Sequence, residues 1–145
     1  MTAREYLRQL RCLDIVINQK VEEVNALRAR SRSAGGVDYS KEKAQTSAMG
    51  EASFVNPVLR VIALEQEINE EIDRFVEQKH KIINQIQALH SADYINVLYK
   101  RYVEFKSLER ICVEMHFSYA YVKHLHIRAL RTFENKNLKS APNNT

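Results

Sequence analysis

SLERICVEMHFSYAYVKHLHIRALRTF, residues 107–133, is the stretch whose reading decides the fold. Ser107 can cap a helix, because its hydroxyl can accept a hydrogen bond from a free amide of the first turn. Glu109 then sits where the helix dipole favours a carboxylate. Leu108, Ile111, Cys112 and Met115 recur at i, i+3, i+4 and i+7, the apolar stripe of a short helix. Ser118 is a second cap, so only a few residues separate two helices. The left-handed position of that tight turn falls on His116, since His enters this backbone region more readily than most residues. The second helix is predicted to bury Val122, Leu125, Ala129 and Phe133, with Leu130 beside them. Tyr119, Ala120, Lys123, His124 and Arg128 fall on its other faces, with Tyr121 at the margin. Residues 118–131 hold three basic side chains, Lys123, Arg128 and Arg131, and no acid.

A third helix lies just upstream. In DYINVLYKRYV, Ile95, Leu98, Tyr99 and Tyr102 again follow i, i+3, i+4, i+7 spacing. Three short helices ending in a basic one make a minimal DNA-binding module. So small a unit buries little surface and is expected to lean on the helix before it. A helix N-terminus followed by lysines and arginines suits phosphate, and side chains near the start of such a helix reach base edges in the major groove. The expected DNA-binding residues are Ser107, Arg110, Ser118, Tyr119, Ala120, Tyr121, Lys123, His124, Arg128 and Arg131. Phosphate contacts fall to Lys123, Arg128, Arg131 and Arg110. Base contacts fall to Tyr119, Ala120, Lys123 and His124.

The run VLYKRYVEFKSLERICVEMHFSYAYVKHLHIRAL resembles region four of sigma-70-type factors, the part that reads the promoter −35 element. Arg101, Tyr102, Ser107, Glu109, Ile111, Ser118, Val122, Lys123, Leu125, His126, Arg128, Ala129 and Leu130 carry the likeness, over about the last third of the chain. His116 stands where that pattern commonly has Gly, and Ala120 or Tyr121 where it has Thr. The whole layout also resembles small phage and prophage proteins of Gram-positive bacteria, grouped with ArpU-like and RinA-like late-gene regulators. The resemblance implies a transcriptional regulator that binds double-stranded DNA and acts in the cytoplasm of a bacterial host. An alternative is a module that docks on RNA polymerase and binds DNA weakly, since region four itself touches polymerase.

The rest of the chain reads as two long helices. The first covers about residues 3–29, with a seam of Ala3, Tyr6, Leu10, Leu13, Ile17, Lys20, Val24 and Leu27. Its three–four alternation is a heptad pattern with one polar break. Residues 31–55 hold all three glycines, show no period and read as a mobile linker. Asn56 and Pro57 open the second helix, with Pro tolerated in a first turn. Its seam is Val58, Val61, Glu65, Ile68, Ile72, Phe75, Lys79, Ile82, Ile86 and Leu89. With Leu27 opposite Val58, Lys20 would face Glu65. The expected fold is therefore all-α: a long antiparallel helical hairpin over 1–90, coiled-coil-like and able to form a homodimer, then a helix-turn-helix module over 91–137. Ser91 caps that module's first helix, and 138–145 reads as a disordered tail.

Charge supports this division. Residues 1–90 hold 13 Lys/Arg and 13 Asp/Glu; residues 91–145 hold 9 and 5, so the net +4 falls in the C-terminal module. That asymmetry fits nucleic-acid binding, with a solvated basic face as the plainer alternative. Cys12 and Cys112 form no CxxC pair and read as reduced thiols of a cytosolic protein. The arginine-rich start has no unbroken apolar run, so neither a signal peptide nor a membrane span is expected. No nucleotide, metalloprotease or nucleophile-elbow motif occurs, and no nucleophile–base pair can be proposed. No enzyme and no cofactor is expected. Cys112 and His116, at i and i+4, would need a third ligand such as His124 to hold a metal. Packing is the better reading of Cys112.

Overall fold

The computed structural model describes residues 1–45 and 50–139; for 31, 33–45 and 50–56 it describes the backbone alone. Among the described residues the chain is all-helical, without a strand. The elements are α1 (Ala3–Gln45), α2 (Gly50–Gln87), α3 (Ala92–Leu98), a π-helix (Tyr99–Val103), α4 (Leu108–Met115) and α5 (Tyr119–Asn137). No helix among the described residues is long and apolar enough to cross a membrane.

The two long helices run further than their apolar seams predict. The stretch read as a linker carries the end of α1 and the start of α2, with 46–49 outside the described residues. Ala, Lys, Glu and Gln supply helix propensity there, and the glycines cost only about 1 kcal/mol each relative to Ala. Pro57 consequently lies inside α2 rather than in its first turn. Lacking an N–H, it removes one hydrogen bond from the ladder.

The chain packs as two compact units, Met1–Ile15 with Glu77–Thr145, and Val16–Val76. In the second of these, Val24 and Ile68 are buried. Lys20 pairs with Glu71 at 2.9 Å and Arg28 with Glu65 at 2.7 Å. The expected facing of Lys20 and Glu65 is thus corrected: each takes another partner. Its cause is the position of the helix ends. Pairing Leu27 with Val58 assumed helices that stop at the linker, whereas α1 reaches Gln45 and α2 starts at Gly50. That moves the pairing by about two turns.

The larger unit holds most of the buried core. Leu7 and Leu10 of α1, Ile82 and Ile86 of α2, Val97 and Leu98 of α3, Ile111 of α4 and Val122 and Phe133 of α5 have essentially no exposed surface. Tyr6 stacks obliquely on Phe133 with ring centres 5.8 Å apart, and its hydroxyl donates to Gln85. The Ala3 amide donates to Glu134 of α5 at 3.0 Å. α5 therefore packs on the first turns of α1, and its Lys136 donates to the Ala88 carbonyl just past α2 at 2.6 Å.

Local chemistry explains the boundaries. Ser91, Ser107 and Ser118 have extended backbones, and their hydroxyls accept from the amides of Tyr94, Arg110 and Tyr121. His116 closes α4 in the left-handed region at φ 61°, ψ 39°. The expected single helix over residues 92–102 is instead broken: after Leu98 the backbone widens into a π-helix, with Glu104 N–H donating to the Tyr99 carbonyl. Val97 joins Leu98 and Tyr102 in the core, while Ile95 and Tyr99 are half-buried. Phe105, just past the π-helix, takes φ 60°.

Candidate nucleic-acid interface

α5 separates its side chains by face. Val122, Leu125, His126, Ala129, Leu130 and Phe133 point inward. Ala120, Lys123, His124, Ile127, Arg128 and Arg131 are exposed, as are Tyr119 and Tyr121. No acid interrupts this surface between Ser118 and Arg131. At 100° per residue, Ala120, His124, Ile127 and Arg131 form the centre of the outward face, with Lys123 on one flank and Arg128 on the other. Tyr121 stands edge-on to Phe117 with ring centres 4.6 Å apart, so its ring is held in place while part of it stays exposed.

Ser107 and Ser118 are exposed, and each uses an oxygen lone pair for its cap. Their hydroxyl hydrogens remain able to donate. Arg110 donates through Nε to Glu114 at 2.9 Å, which leaves the Nη donors of its fork. Glu114 also accepts from Lys100 at 2.8 Å and Lys106 at 2.9 Å. Hydrogen bonds from Lys100, then Lys106, then Arg110 hold its carboxyl down to about 2. The same carboxylate, with Glu104, raises the Lys106 ammonium above its ordinary value. Glu114 thus fixes three cations beside α4. Val113, on the same helix, is 70% exposed.

His126 lies under the outward face. It is buried, and its Nε2 lies 2.8 Å from the Tyr102 hydroxyl. Burial, then the charges of Arg4 and Arg101, push the imidazole down to about 4. Burial also raises the Tyr102 hydroxyl, against the pull of Arg4, Arg101 and Arg8. Cys112 is half-buried, and its thiol donates to the Glu109 carbonyl at 3.1 Å.

Structure sharpens the charge division. The unit containing the three short helices holds 14 Lys/Arg and 8 Asp/Glu, +6; residues 16–76 hold 8 and 10, −2. The difference from the sequence division comes mainly from Arg4, Arg8 and Arg11 of α1, together with Lys79 and Lys81 of α2. The arginines repeat at i, i+4 and i+7, a signal visible in the sequence but indistinguishable there from a solvated helix face. Compared with family models, curated proteins and solved structures, the chain matches none.

Proposed function

We propose that the chain is a sequence-specific double-stranded DNA-binding transcriptional regulator of the small phage and prophage type. In this reading α4 and α5 form a helix-turn-helix and residues 118–134 enter the major groove. The observation that carries it is the outward face of α5: an acid-free row of Ala120, Lys123, His124, Arg128 and Arg131 on a helix whose opposite face is fully packed. Lys123, Arg128 and Arg131 supply phosphate contacts, and Tyr119, Ala120, Lys123 and His124 supply base contacts near the helix start. Ser107, Ser118 and Arg110 flank them with free donors. α1 and α2 act as a helical hairpin that offers a surface for a second copy or for polymerase.

The test is selection of bound duplexes from a random pool, followed by anisotropy titration of the winner at several salt concentrations. Three to five phosphate contacts give a log–log slope of roughly −3 to −5. Lys123→Glu and Arg128→Glu should each abolish enrichment. A second reading, docking on RNA polymerase with weak DNA binding, draws support from exposed Val113 and Ile127, apolar side chains that phosphate does not need. Salt-independent binding with no enriched motif would favour it.

A further inference from the structure

A second basic feature, a half-open hollow whose only α5 residue is His126, lies apart from the outward row of that helix. Arg4, Arg8 and Arg11 share one face of α1. With Arg101 they line a cavity of about 280 Å³, walled by Leu7, Phe105 and Leu108 and also lined by Tyr102 and His126. Among the described residues no carboxylate lines it. Among the described residues, none of the four guanidinium groups forms a salt bridge. Arg101 donates one Nη1–H to the Lys106 carbonyl at 2.9 Å, and the Arg11 guanidinium rests 5.2 Å above the Phe105 ring. Phe105 holds that ring in place from a left-handed backbone, a conformation that costs a bulky residue energy and recurs at ligand clamps.

We propose that this cavity binds a phosphate-bearing anion, gripped by Arg4, Arg8, Arg11 and Arg101. Four cations around one hollow repel each other until a counter-charge enters. Guanidinium forks match phosphate oxygens in pairs. The volume lies just below the ~300 Å³ at which small-molecule sites begin, so it suits a pyrophosphate-sized group better than a single small ion. His126 adds no charge, because the burial and neighbouring arginines described above keep it neutral at pH 7. The anion can come from a free phosphorylated small molecule or from a backbone phosphate of bound duplex; the site's chemistry is the same, and it does not depend on α5 reading bases.

The test uses the full chain, with calorimetric titration of pyrophosphate at constant ionic strength and sodium chloride as the matched control. Saturable binding is expected, with a thermal shift that chloride does not reproduce. Arg8 and Arg11 are exposed, so Arg8→Ala/Arg11→Ala should keep the fold, verified by circular dichroism. Its affinity for pyrophosphate should fall on the order of a hundredfold, since each lost charge-assisted bond weakens binding about tenfold. Lys123→Ala should leave it unchanged. Duplex of random sequence that competes with pyrophosphate and loses affinity in the double variant assigns the phosphate to the DNA backbone. Duplex affinity unaffected by the double variant assigns it to a free small molecule. No saturable binding, a chloride control with the same shift, or a folded double variant that binds like the wild type overturns the proposal.

Discussion

Acidification from about pH 7.5 to 5 should weaken the fold through His126. An unfolded imidazole takes up a proton as the pH drops below 6.5, whereas the folded ring resists it down to about 4. The unfolded state therefore binds more protons across this window, and stability falls with pH. Each pH unit in the window costs up to ~1.4 kcal/mol. About one and a half units lie between 6.5 and 5, so the loss is about 2 kcal/mol, a sizeable fraction of the 5–15 kcal/mol typical of a domain. Below about 4 the contribution is wholly lost. Urea denaturation of the wild type and of His126→Leu/Tyr102→Phe at several pH values isolates the effect. The double variant removes both partners of the 2.8 Å contact and leaves no orphaned hydroxyl. The wild-type curve should bend below pH 6.5 relative to the double variant. Parallel curves between pH 7.5 and 5 would refute the reasoning, since His126 would then carry no burial penalty.

Leu7→Ala should cost about 2–5 kcal/mol although it lies far in sequence from α5, because its side chain is fully buried. Ile62→Ala, at a side chain 48% exposed, should stay within about 0.5 kcal/mol; thermal denaturation compares the two. His116→Gly should raise the melting temperature by a few degrees or leave it unchanged, since relief of the left-handed backbone offsets the added chain entropy. His116→Val should lower it. Charge reversal tests the pairing of α1 and α2: Lys20→Glu should lower the melting temperature and Lys20→Glu/Glu71→Lys should restore it, whereas Lys20→Glu/Glu65→Lys should not.

What the sequence made legible was governed by neighbours along the chain. The caps at Ser91, Ser107 and Ser118 follow from side chains that bond amides three residues on, and the left-handed turn at His116 follows from the short gap between two caps. The buried set of α5 follows from its period. Other features depend on what arrives from a distance. Ile95, Leu98, Tyr99 and Tyr102 satisfy an α-helical stripe as well as they sit beside a π-helix, so spacing could not reveal the widening after Leu98. The partner of Lys20 depends on where α1 and α2 end, and that lies in a stretch without apolar period. The helical spacing of Arg4, Arg8 and Arg11 is visible in the sequence, but only the fold places Arg101 and Phe105 beside them.

The two basic clusters beside α5 differ in how their charge is compensated, and that difference decides which one gains most from an anion. Lys100, Lys106 and Arg110 converge on Glu114, a carboxylate that stays ionised to about pH 2. Glu104 adds a second acid on Lys106 at 3.0 Å. An incoming phosphate there meets Lys100 and Lys106 already engaged and a carboxylate that repels it, and only Arg110 keeps Nη donors to offer. Around Arg4, Arg8, Arg11 and Arg101 no acid among the described residues lines the hollow, and Leu7, Phe105 and Leu108 supply apolar wall on its inner side. Attraction to an anion is stronger where cations have no carboxylate partner to compete with it. The Glu114 cluster is therefore suited to holding α4 against the segment that precedes it, and the four-arginine cavity to holding a ligand.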